Sequence, residues 1–171
     1  MGHHINALIG TPEALSSLAQ RFSSPAPTEV PFGLIVIPLD EERLDEIAMS
    51  VEPAIEGFTY LTPTMAEKIV NGVQGPALYV ETDYFGGLGG QRSAYFENGR
   101  LSWWGADSTF QPEAGTSLAD LFERTAATGK APINEGLARL GVSRSADRDE
   151  FDQIGLGRFR SLEDLGIEYD D

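Results

Sequence analysis

Two carboxylates spaced two apart, Glu81 and Asp83, open the segment Glu81-Thr82-Asp83-Tyr84-Phe85-Gly86-Gly87-Leu88-Gly89-Gly90-Gln91. On an extended strand such residues project from one face, roughly 6–7 Å apart. That spacing suits acid–base chemistry or a divalent cation. It equally suits a strand end whose carboxylates are solvated or accept backbone amides. The glycines would let a ligand approach the backbone. They do not form a phosphate loop, because Gln91-Arg92 follows Gly90 where that loop needs Lys-Ser/Thr. The dinucleotide fingerprint also fails. Gly87 and Gly89 fit its first two positions, but Arg92 takes the third and the residues after it read as a strand.

Other chemistry has less support. His3 and His4 are adjacent on a strand pattern, so they face opposite ways and do not share a metal. Either could act as a general base with a distant carboxylate such as Glu81. Equally, one could be buried and the other exposed. No Gly-x-Ser-x-Gly elbow occurs, and with no cysteine there is no thiol nucleophile or Cys-ligated zinc. No metal site and no cofactor is expected. Trp103 and Trp104 face opposite sides of a strand, so one is a candidate for exposure.

Charge is the broadest signal. The 171 residues carry 27 acidic and 12 basic groups, a net −15. Phosphate binding needs clustered Lys and Arg, so nucleic acid is not expected as a ligand. The densest acidic stretch is Asp40, Glu41, Glu42, Asp45 and Glu46; others are Asp147–Asp152 and Asp170-Asp171. Such a surface is either a solvated exterior or a means of steering toward a basic partner. In the second case the contact residues would be Asp40, Glu41, Glu42, Asp45 and Glu46, with Tyr84, Phe85 and Trp103 as aromatic anchors. No signal peptide is legible, and no apolar run approaches the ~20 residues of a membrane helix. A cytoplasmic protein without membrane contact is expected. The oligomeric state stays open.

The elements that must position these groups follow from periodicity. His3–Ile9 alternates as a strand, and Thr11-Pro12-Glu13 has the form of a helix start, with Leu15, Leu18, Ala19 and Phe22 as its stripe. The stretch 23–31 reads as a loop. Phe32–Ile37 is a continuous apolar run, as in a strand covered on both faces. Asp40 caps a helix with Leu44, Ile47 and Ala48 inward. Phe58–Leu61 is a short strand candidate. Thr64 opens a helix by capping-box spacing, and Gly72 stops it. Strands at 76–82, 91–96 and 101–104 follow, the last two joined by the turn-former Asn98-Gly99. Helices start at Ser117 and Pro132, ending at Gly129 and Gly141.

These elements predict an α+β fold. It has a mixed sheet with early β-α alternation, a late hairpin, and helices packed on the sheet. Residues 1–142 form one domain. Residues 143–171 form an appended acidic segment packed on it through Phe151, Ile154, Phe159, Leu162 and Leu165.

The run from Glu81 to Gly87, with Gly89 and Gln91 after it, resembles a motif in a group of small, uncharacterised bacterial proteins. In size and charge the chain is similar to immunity proteins, which bind and neutralise a partner toxin. The resemblance covers the motif and the following hairpin and brings no catalytic residue with it. It implies an acidic inhibitor of a basic toxin or effector. The alternatives are a small hydrolase acting through Glu81 and Asp83, and a nucleic-acid mimic.

Overall fold

The computed structural model describes residues 3–48, 52–85, 88–108 and 131–169. The elements are β1 (His3–Gly10), α1 (Ser16–Arg21), β2 (Thr28–Val30), β3 (Leu34–Pro38), α2 (Glu41–Ala48), α3 (Pro63–Gly72), β4 (Ala77–Phe85), β5 (Leu88–Glu97), β6 (Arg100–Ser108), α4 (Pro132–Arg139) and α5 (Glu150–Gln153). Two 3-10 turns follow, Leu156–Arg158 and Glu163–Leu165. The helix expected from Ser117 to Gly129 lies outside the described residues.

The α+β architecture is as expected, with a six-stranded sheet in the order β2-β3-β1-β4-β5-β6. Strand direction is where it differs from a mixed sheet: every hydrogen-bonded pair is antiparallel. The early β-α alternation does yield parallel strands, β1 with β2 and β3 with β4, but each crossover skips one position. The stretch read as loop at 23–31 contains β2. Its turn back, with Phe32 and Gly33 at φ 70° and 68°, inserts β3 between β2 and β1.

Local signals account for most boundaries. The Thr11 hydroxyl accepts from Ala14 N, although regular helix begins only at Ser16. Asp40 Oδ1 accepts from Arg43 N at 2.9 Å and opens α2. The cap of α3 is Thr62, two residues before the expected Thr64, with Pro63 at the first helical position. Phe58–Leu61 is loop rather than strand. Asn98 and Gly99, at φ 56° and 73°, turn β5 into β6.

The sheet is covered on both faces. On the first, α1, α2 and α3 bury Leu15, Leu18, Leu44, Ile47, Met65 and Ile69 against Leu8, Ile37, Tyr79 and Phe96. On the second, Ile5, Ala7, Ile9, Val36, Leu78 and Val80 meet Ile133 and Leu137 of α4, together with Ile154, Leu156, Leu162 and Leu165. The segment after residue 142 thus supplies much of one core layer. Its Phe151 and Phe159 pack at the margin of that layer.

Candidate functional site

The residues of the glycine-rich motif divide between the two faces by strand alternation. Glu81 lies on the first face and is 1% exposed. Its Oε1 accepts from Tyr60 N, Leu61 N and the Tyr79 hydroxyl, and its Oε2 from Thr59 N, all at 2.8–3.0 Å. The carboxylate thereby ties the 59–61 loop to the sheet. Asp83 shares that face but its side chain is 72% exposed. The expected common direction is present, yet the two carboxylates have different surroundings, and all four donors at Glu81 come from the protein itself. Beside Glu81, burial and the carboxylate's charge push the Tyr79 phenol well above its ordinary pKa, so it remains a donor.

Thr82 faces the other way. Its Oγ1 accepts from Ile5 N and lies 2.8 Å from His3 Nδ1. His3 Nε2 is 3.2 Å from the Leu156 carbonyl. A carbonyl only accepts, so Nε2 carries the proton, and Nδ1 of the neutral ring accepts from the Thr82 hydroxyl. Burial lowers the His3 pKa below 6.5. His3 is thus the more buried histidine, whereas His4 is half exposed, with Nδ1 3.7 Å from Asp83 Oδ1.

The rest of the motif is also engaged in the fold. Gln91 donates to the Tyr84 hydroxyl and accepts from Ile133 N, capping α4 from a neighbouring strand. Gly89 has φ 146°, and a Cβ there would fall 1.8 Å from the Asp83 carbonyl oxygen, so only glycine fits. Gly86, Gly87 and the Phe85 side chain lie outside the description.

The acidic helix forms a different kind of site. Asp40, Glu41, Glu42, Asp45 and Glu46 line an open cleft of about 790 Å³, completed by Arg21, Glu168 and Tyr169. Arg21 is the only cation among these lining residues, and its Nε lies 3.3 Å from Glu46 Oε2. The helix's own cation, Arg43, points inward. It donates to the carbonyls of Pro38 and Ser24 and covers the Phe22 ring at 5.2 Å. Tyr169 is 56% exposed, and its pKa is raised by partial burial and by the charges of Asp40, Glu163 and Glu41.

Of the expected aromatic anchors, Tyr84 and Trp103 do not line this cleft, and the Phe85 side chain lies outside the described residues. Tyr84 is half-buried and held by Gln91, and Trp103 is half-buried under the Arg139 guanidinium, 4.9 Å from its ring. The exposed tryptophan is Trp104, at 51%. Sequence reasoning missed Glu168 and Tyr169, which reach α2 only through the tertiary fold. Among the described residues, no group of three or more His, Asp or Glu is placed to hold a metal ion, and no helix is long and apolar enough to cross a membrane. No family model, no curated protein and no solved structure matches the chain.

Proposed function

We propose that this protein is an acidic binding protein that engages a basic protein partner through the α2 cleft, in the manner of an immunity-type inhibitor. One observation carries the reading: the five carboxylates of the acidic stretch line a single open cleft, joined there by Glu168 and the exposed Tyr169. A Lys or Arg side chain entering it would meet carboxylates on two sides and an aromatic ring. The inward turn of Arg43 supports the reading, because it leaves the outer side of α2 almost uniformly negative. The net −15 would speed encounter with a cationic surface and make association salt-dependent. In a cytoplasmic setting such a partner would be a toxin or effector whose basic working surface is occluded.

The test is capture of partners from host lysate at low and high salt, by the wild-type chain and by a variant with Glu41, Glu42, Asp45 and Glu46 changed to lysine. These side chains are exposed, so the fold should survive. A stoichiometric basic partner, released by salt and lost in the variant, is the expected result. The inhibitory step is then read directly from that partner's activity with and without the protein. Unchanged capture with unchanged salt dependence would sink the reading.

A further inference from the structure

A second cavity, of about 640 Å³, lies between the turn after β2 and the C-terminal layer of the second face. Its lining includes Pro31, Asp147, Arg148, Asp152, Gln153 and Arg158. Two cations thus face two carboxylates, an even balance in a chain whose acidic groups outnumber its basic ones 27 to 12. The α2 cleft is built the other way, with six carboxylates and one arginine.

The four charges do not satisfy one another. Among the described residues, neither Arg148 nor Arg158 forms an ion pair, and the Arg148 guanidinium donates to no described group. Arg158 is held in place without a carboxylate. Its Nε donates to the Gly155 carbonyl at 3.3 Å, and its Cζ lies 5.4 Å from the centroid of the Phe159 ring. Gly155, at φ 71°, makes room for this head, since a Cβ there would fall 2.7 Å from that Nε. The two terminal nitrogens keep their N–H groups for other acceptors. Of the carboxylates, Asp147 accepts from the Ser145 hydroxyl at 3.0 Å, whereas Asp152 accepts from no described group. The neighbouring Asp149 is engaged in the fold, accepting from Asp152 N and from the Asn134 amide.

We propose that this cavity binds the zwitterionic head of a free α-amino acid with an uncharged side chain, its carboxylate received by Arg148 and Arg158 and its ammonium by Asp152. Guanidinium forks match a carboxylate bidentately, and the pinned head of Arg158 loses little freedom on binding. Arg148 and Asp152 bracket the first turn of α5, so opposite charges stand on the same wall of the cavity. A zwitterion uses both signs at once. A polyanion such as phosphate would meet Asp147 and Asp152, and a lone cation would meet the two arginines. Beyond the four charges the lining is uncharged, with the Pro31 ring, the Gln153 amide and Gly155 left for the ligand's side chain. The volume falls within the range of small-molecule sites. This site is separate from the α2 cleft and does not depend on a basic protein partner.

The experiment is a titration of the ¹⁵N-labelled full chain with L-leucine, followed by NMR. The controls are 4-methylpentanoate, which lacks the ammonium, 3-methylbutylamine, which lacks the carboxylate, and inorganic phosphate. The expected result is a saturable shift of the Arg148, Asp152, Gln153 and Gly155 backbone signals and of the Arg158 side-chain Nε–H with L-leucine. Each control should bind about ten-fold more weakly, as for a lost charge-assisted contact. Arg148→Gln and Asp152→Asn replace exposed side chains without a described partner, so the remaining spectrum should stay unchanged while L-leucine binding weakens about ten-fold in each. No saturable shift at these residues, an equal or stronger response to 4-methylpentanoate or phosphate, or unweakened binding in either variant would each overturn the site. Shifts confined to the Asp40–Glu46 stretch would overturn it as well, leaving the cleft reading to its own charge-reversal test.

Discussion

The two faces of the sheet are closed by different means. The first is covered by three helices whose apolar stripes repeat at helical spacing. The second is covered by α4 and a C-terminal stretch made mainly of turns. Neighbouring residues of β4 serve the two sides. Glu81 holds the 59–61 loop on the first face, and Thr82, through His3, reaches Leu156 on the second. A motif that looks like paired carboxylates in sequence is, in the fold, a two-sided clasp with one carboxylate left over at Asp83.

That comparison can be broken at its strongest point first. Glu81→Ala would leave three backbone N–H groups and the Tyr79 hydroxyl without their acceptor. A loss of about 3–5 kcal/mol in urea unfolding is expected, as for a broken buried charged network. A loss within 0.5 kcal/mol, the range of ordinary surface changes, would show that the loop holds itself. On the second face, Ile154→Ala empties a site of zero exposure and should cost about 2–4 kcal/mol. If the turn-rich layer is one cooperative unit with the sheet, that loss appears in a single transition by circular dichroism and tryptophan fluorescence. A separate early transition would mark the layer as independently melting.

The smallest effect concerns pH. Folded His3 has a pKa lowered from 6.5 by burial, so the native state binds fewer protons than the unfolded chain in the window below 6.5. Its contribution to stability is therefore full above 6.5 and declines as pH falls through the window toward the folded value. The difference in midpoint temperature between the wild type and His3→Gln should shrink over that range. A difference that grew on acidification would reverse the sign and assign His3 a charged partner.

Local chemistry made much of this fold legible. Asn98-Gly99 marks its hairpin because both residues tolerate positive φ, and Asp40 marks α2 because its carboxylate meets an open helix end. The alternation of β1 separates the two histidines, and the adjacent tryptophans do divide into one exposed and one half-buried. Long-range contacts were not legible. Phe58–Leu61 has the composition of a strand, yet the amides of Thr59, Tyr60 and Leu61 are taken by Glu81, 20 to 22 residues further on. Trp103 rather than Trp104 is covered because Arg139 arrives from α4. The cleft was half visible: its α2 wall is written in consecutive carboxylates, while Glu168 and Tyr169 are brought there by the path of the chain. Strand order was hidden for the same reason, since nothing local to β2 announces that β3 will be inserted between it and β1.

The placement of β1 has a consequence for synthesis. Its inward row Ile5, Ala7 and Ile9 is joined by Leu78 and Val80 as soon as β4 has emerged from the ribosome. Their cover from Ile154, Leu156, Leu162 and Leu165 is translated about seventy residues later. At roughly 5–20 residues per second, an apolar sheet surface waits uncovered for seconds on every nascent chain, and chaperone dependence in the cell should track that interval.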